Sequence, residues 1–369
     1  MKLLIRERIR KNIPNILILI VVLILCVFIS EMLLRFIYPL EYDIEREHML
    51  SDWGIFLKRP NMEFIYFREE FSQDIKLNSK GLRDYEYGYE KNDSAYRIIM
   101  VGDSFVEGFE VELDKTFSKL LENKLKQDGD YEVINFGHGG FGLIPQAVLI
   151  EEEVINYNPD LIILNYYIGN DLTKIDFGTY NRFPEEFWLE EKHDLLKEKV
   201  YEKKTGTIIK NFLRRHFVLY YLIKKNLINT REENTALEAS PIYEKDYSDR
   251  LKENLETSDI IFKFLEDFTS ENEIKFVVVL IPTKEQVDER IFKNFLGNES
   301  VQDYDLERPQ RLIKNLLEEN YIEYVDLLPY LREKNINNTF YWEKDGHFNE
   351  NGHEIVAAVI YRNLEVGGD

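Results

Sequence analysis

Ser104, His347 and Asp345 carry the side-chain types that nucleophilic acyl chemistry needs, and two glycine- and asparagine-bearing turns carry the rest. Such chemistry needs a hydroxyl, an imidazole to take its proton, a carboxylate to orient the imidazole, and donors for an oxyanion. Ser104 stands in "VGDSFVEG", directly after the apolar run at residues 97–101. Asp345 and His347 stand in "DGHFN"; the turns are "NFGHGGFG" at residues 135–142 and "GND" at residues 169–171. Each has a plainer reading. A serine after a strand also suits a helix cap, and Asn170 beside glycine suits a turn. Asp103 fits the holding of its own turn through local hydrogen bonds better than partnership with Ser104. His138 reads as a loop residue and His353 as structural; Tyr341 and Trp342 either wall a pocket or pack in the core.

The pattern around these residues predicts what must position them. Strand-like runs fall at residues 97–101, 131–135, 160–166, 275–282 and 323–327. Helical spacing falls at residues 115–125, 145–156, 259–270, 308–320 and 351–364. Near-continuous Val/Ile/Leu strands alternating with helices predict a parallel sheet covered on both faces. In such a sheet, ligands bind beyond the carboxyl ends of the strands, where the strand order reverses. Ser104, Gly139, Gly140 and Asn170 follow the first three strands, and His347 precedes the last helix. The chain therefore divides into a segment at residues 1–35, a lead-in at 36–95 without a strong period, and a domain at 96–369. A charged, helix-prone stretch at 177–260 interrupts the alternation and reads as a helical insertion.

The four segments resemble the sequence blocks of the SGNH (GDSL-type) hydrolase superfamily. Gly102-Asp103-Ser104-Phe105 matches the first block, and "NFGHGG" resembles the second. Gly169-Asn170-Asp171 resembles the third, and His347-Phe348-Asn349 followed by Gly352 resembles the fifth. The match covers roughly residues 97–171 and 275–364. It implies a flavodoxin-like three-layer α/β/α sandwich with a parallel five-stranded sheet and metal-independent ester chemistry. On that resemblance Ser104 is the nucleophile and His347 the base. The oxyanion donors are the Ser104 and Gly140 backbone amides and the Asn170 side chain. One departure concerns the acid, which most of the superfamily places three residues before the histidine. Here that position is Lys344, and Asp345 lies two before. Gly346 permits the tighter loop that D-x-H spacing needs. Asp345 is the expected acid and Glu343 its substitute; a dyad lacking an orienting acid is the remaining arrangement. The lead-in "NSKGLRD" and the N-terminus also resemble membrane-tethered bacterial members.

At 369 residues with 44% hydrophobic content the chain buries a sizeable core. A net charge of −21 argues against nucleic acid as a partner, which needs a basic patch. The single cysteine, Cys26, excludes a disulfide framework. No His/Asp/Glu set has metal-ligand spacing, so neither metal nor cofactor is expected. Residues 12–30 lack charge and follow Lys2, Arg6, Arg8, Arg10 and Lys11. As a helix they span about 28 Å, near the hydrocarbon thickness of a bilayer. No A-x-A-like cleavage site follows, so a transmembrane signal anchor is expected. The basic side would stay cytoplasmic and the body extracytoplasmic. The resemblance, with this topology, implies hydrolysis of small acyl esters, with O-acetyl groups of a cell-surface glycan as the leading substrate. An O-acyltransferase using the same residues, and a non-catalytic glycan-binding or scaffold protein, are the alternatives.

Overall fold

Strands covered on both faces have no side left for polar residues, and five such runs build the sheet. In the computed structural model, which describes residues 2–37, 48–51, 55–173, 240–296, 303–335 and 340–364, these are β1 (Tyr96–Gly102), β2 (Tyr131–Gly137), β3 (Leu161–Tyr167), β4 (Lys275–Ile281) and β5 (Glu323–Asp326). They pair in parallel in the order β2-β1-β3-β4-β5. Alternate residues of each strand enter opposite cores. Ile99 and Val101 join Ile134, Ile162 and Val278 under α3 (Leu143–Glu152), α4 (Asp249–Glu271) and α5 (Arg308–Glu319). Ile98 and Met100 join Val133, Ile163 and Val277 under α2 (Phe117–Leu125), α6 (Leu328–Lys334) and α7 (Glu350–Asn363). Burying each such side chain stabilises the fold by about 1.5–3 kcal/mol. The result is the expected α/β/α sandwich. The connection leaving β1 covers one face and that leaving β3 the other, so the crevice of the switch point opens between the carboxyl ends of β1 and β3.

The contacts divide the chain into two units, residues 1–46 with 202–235, and residues 47–201 with 236–369. In the first, a helix spans Lys2–Ile37, and its window Leu17–Leu34 has a mean hydropathy of 3.1. That stretch is long and apolar enough to cross a membrane, and most of its described apolar side chains are exposed. In the second unit the lead-in is more ordered than its sequence suggests. His48–Leu50 pairs with Phe56–Lys58, and Glu63–Phe67 pairs with Ser72–Lys76, both antiparallel.

The turn "NSKGLRD" fastens this lead-in to the sheet. Asn78 Oδ1 accepts hydrogen bonds from the Lys80 and Leu82 amides, each at 2.9 Å. Gly81 sits at φ +81, where a Cβ would stand 2.3 Å from the Lys58 carbonyl oxygen. Beyond it, Asp84 is buried, accepting from the Asn135 amide at 2.7 Å and pairing with Lys119 at 2.7 Å. Arg83 donates to the carbonyls of Glu107, Gly108 and Val111, fixing the chain just after Ser104's helix.

Two boundaries move furthest. The helix expected at 259–270 begins at Asp249, because Asn254 and Ser258 occupy buried positions and blur the apolar period. Asn254 compensates by donating to the Leu172 carbonyl at 2.9 Å. Of the insertion read at 177–260, residues 177–239 lie outside the described residues, while Asp249 onward belongs to α4, which covers the sheet.

Candidate active site

β1 runs straight into α1 (Ser104–Glu107), a single turn capped by Asp103. Asp103 Oδ1 accepts from the Phe105 amide at 2.9 Å. Its other oxygen, Oδ2, accepts from Asn170 Nδ2 at 2.7 Å. Asp103 therefore holds the turn and also orients the Asn170 amide, whose Oδ1 is buried without a partner among the described residues. Ser104 occupies the first helical position, where a backbone N–H has no intrahelical acceptor. Gly102 is required by packing, since a Cβ there would meet Val106 at 2.3 Å.

The glycine-rich turn after β2 lies beside this serine. The His138 amide donates to the Gly102 carbonyl at 3.0 Å, carrying the loop alongside the end of β1. Gly137 allows close approach, because its Cβ would fall 2.1 Å from the Glu107 amide nitrogen. The Gly139 amide donates to Glu107 Oε2 at 3.1 Å, and a Cβ on Gly139 would stand 3.7 Å from Ser104 Cβ. Glu107 is itself buried and paired with Lys58. Gly140 follows at φ +83 with nothing within 4 Å of its missing Cβ, so this corner faces open space. His138 is buried and stacks on Phe141, ring centroids 4.9 Å apart, in keeping with the loop reading. After β3, Asp171 holds the turn by accepting from the Tyr167 amide at 2.8 Å.

His347 arrives on a tight reversal before α7. The Trp342 amide donates to the His347 carbonyl at 2.8 Å, and the Gly346 amide to the Trp342 carbonyl at 3.2 Å. Gly346 takes φ +86, the left-handed region that D-x-H spacing needs here. Asn349 caps α7 by accepting from the Gly352 amide at 3.1 Å. The geometry joins the separated residues. Ser104 Oγ lies 2.7 Å from His347 Nε2, and His347 Nδ1 lies 2.6 Å from Asp345 Oδ1. Asp345, not Glu343, reaches the imidazole. Glu343 is exposed, and its carbonyl accepts from Lys284 at 3.1 Å. Lys344 pairs instead with Glu69.

Three neighbours were not legible beforehand. Glu70, at the tip of the lead-in hairpin, accepts hydrogen bonds from the amides of Glu343, Lys344 and Asp345 at 2.8–2.9 Å. Arg68 approaches Asp345 Oδ2 at 3.8 Å. Glu110 is buried with Oε1 3.5 Å from His347 Nδ1. Only Glu110 had a local signal, an acid flanked by Phe109 and Val111. Trp342 meets Phe71 of the same hairpin at 5.3 Å, whereas Tyr341 is a core residue whose hydroxyl donates to the Pro282 carbonyl at 2.8 Å.

The charges follow from this packing. Burial tends to raise the Asp345 carboxyl, but its hydrogen bond and attraction to His347 win and hold it below the usual range. Burial would lower His347, yet the Glu110 and Asp345 carboxylates outweigh it and raise it to about 9. Burial raises Glu110 to about 7 against the pull of His347. The ligand-type atoms of Glu110, Asp345 and His347 lie within 4.8 Å of one another. However, Nδ1 and Oδ1 at 2.6 Å are hydrogen-bonded, whereas tetrahedral ligands about one zinc stand about 3.4 Å apart. These residues do not fit a cation as placed.

His353 proves structural. Its Nδ1 accepts from the Phe117 amide at 3.1 Å, and burial, aided by the charges of Arg83 and His347, pulls it down to about 3. The unfolded chain takes up this proton below about pH 6.5 while the native chain stays neutral, so its contribution is complete above that pH and is lost on acidification. His353→Asn keeps an acceptor for Phe117. From pH 7 to pH 5 the wild type should lose about 2 kcal/mol more stability than this variant in urea unfolding. Parallel losses would refute that role.

A scan against protein-family models finds no match, and a search of curated proteins finds none. Among solved structures, an acetyl xylan esterase aligns at 15% identity and TM-score 0.41, over 73% of this chain and 99% of its own. A catalytic mutant of an acetylxylan esterase from Geobacillus stearothermophilus aligns at 13% identity and TM-score 0.41, over 74% of this chain and 95% of its own. A two-domain esterase active on acetylated mannans aligns at 14% identity and TM-score 0.40 over 73% of this chain. The present chain spans about half of that protein, 48%.

Proposed function

We propose that this chain is a serine-dependent hydrolase of small acyl esters, with O-acetyl groups of a cell-surface glycan as substrate. What carries the reading is the hydrogen-bonded relay from Ser104 Oγ through both nitrogens of His347 to Asp345. In this mechanism Ser104 Oγ attacks the acyl carbonyl as its proton passes to Nε2, and the carbonyl π pair moves onto oxygen. Collapse of the oxyanion expels the alkoxide, which takes the proton from Nε2. Water repeats the sequence on the acyl-serine, releasing the acid and restoring Ser104. Asp345 keeps Nδ1 protonated and stabilises the imidazolium. The amides of Ser104 and Gly140 and Nδ2 of Asn170 serve as oxyanion donors. One Nδ2 hydrogen goes to Asp103 and the other remains for substrate. Asn170→Ala should lower kcat by about 10²–10³ with KM little changed; an effect on KM alone would assign Asn170 to substrate binding.

The glycan substrate and the topology belong together. The basic N-terminus and apolar helix favour a single-pass anchor with the N-terminus cytoplasmic and the body outside. The test is the full-length protein in detergent with p-nitrophenyl acetate and an O-acetylated polysaccharide. Acetate release from both, abolished in Ser104→Ala, is the expected result. Cleavage of neither ester would overturn the hydrolase reading, and movement of acetate onto an acceptor glycan in place of water would replace it with transfer.

A further inference from the structure

Glu110 is a buried carboxylate outside the serine relay. It lies six residues past Ser104, on a turn fixed from behind by Arg83, whose guanidinium donates to the Glu107, Gly108 and Val111 carbonyls. The Glu110 side chain is 2% exposed, and Oε2 has no hydrogen-bond partner among the described residues. Oε1 stands 3.5 Å from His347 Nδ1. That nitrogen carries one hydrogen, and Asp345 Oδ1 at 2.6 Å takes it. Glu110 is thus an ion-pair neighbour of the ring, acting through its charge.

We propose that Glu110 is a positioning residue for His347, a second carboxylate on the Nδ1 edge that holds the ring toward Ser104 and sets the pH at which it becomes a base. This rests on reading His347 as the base. A buried polar group left without a hydrogen bond destabilises a fold, so an acid kept in this place needs compensation, and the imidazolium supplies it. The surrounding charges alternate. Arg68 faces Asp345 on the outer side, Arg83 faces Glu110 on the inner side, and His347 lies between the two carboxylates. Asp103 adds a further negative charge near the ring, the Tyr66 phenol faces Glu110 and Asp345, and neutral His353 lies behind Arg83.

The consequence is a ring that keeps its proton to unusually high pH. Only neutral His347 accepts the Ser104 proton, so the acid limb of kcat/KM reports its ionisation in the free enzyme. In the wild type that limb should lie near pH 9, against about 6.5 for an ordinary imidazole. Glu110→Gln keeps the shape and removes the charge; it should move the limb down by about 1–2 pH units. Glu110→Asp keeps the charge and should retain most of the displacement. A limb in Glu110→Gln within about 0.3 pH unit of wild type would overturn the proposal. Nitrogen-15 NMR of His347 in the full-length wild type, assigned by loss of its signal in His347→Asn, reads the same quantity without turnover. Read in both the wild type and Glu110→Gln, a midpoint lower by about 1–2 pH units in the variant supports the proposal, and midpoints within about 0.3 unit refute it. If neither ester is cleaved at any pH, the hydrolase reading falls, while the difference in NMR midpoint between wild type and Glu110→Gln still decides whether Glu110 acts on His347.

Discussion

Ser104→Ala is expected to lower kcat for ester cleavage about 10⁶-fold, with the fold intact. The side chain is half-buried and holds one hydrogen bond in the site, to His347 at 2.7 Å. Removing an oxygen from such a place costs little stability, whereas every bond made to the acyl group in the proposed mechanism begins at that oxygen. The loss should appear in kcat and kcat/KM alike, since the proposed role of Ser104 is to form the acyl bond and not to hold the substrate. His347→Ala should fall about as far, and the double variant little further, because the two act as one unit. A loss below about tenfold would move the nucleophile elsewhere.

Asp345→Asn carries the second large effect, a loss of about 10³–10⁴ in kcat at a pH above the acid limb of both enzymes. The carboxamide places an N–H where His347 Nδ1 now finds an acceptor, which favours the wrong tautomer and removes a charge that stabilises imidazolium. Asp345 holds its place because Glu70 takes three successive amides of its turn and Gly346 closes the turn at φ +86. Glu343→Gln should change kcat less than twofold, as that side chain is exposed on the outside of the turn. Equal losses in the two variants would contradict the assignment of Asp345.

Much of this arrangement was legible in the residues. The five apolar runs gave the strands nearly to their ends, because a doubly covered strand cannot hide its composition. The placing of Ser104, Gly140, Asn170 and His347 near one edge was legible because they stand in polar or glycine-bearing turns that follow the strands or precede the last helix. The hairpin at Glu63–Phe67 and Ser72–Lys76 was not. Of its apolar residues Tyr66 and Ile75 are buried, while Ile65 and Phe67 are 63% and 69% exposed, so its pattern contradicts a buried strand. Glu70 makes its contacts 273–275 positions away, a pairing that no local period announces. Glu107 was lost among 68 acidic residues, and Glu110 carried no signal beyond its apolar flanks. Their importance comes from burial beside His347 and Lys58, which only the folded chain defines.

The most direct test of the relay is covalent labelling of the full-length protein with a fluorophosphonate, located by mass spectrometry. A phosphonyl group on the peptide containing Ser104, absent from Ser104→Ala and slowed in His347→Ala, is the expected result. No labelling of the wild type, or equal labelling of wild type and Ser104→Ala, would contradict it.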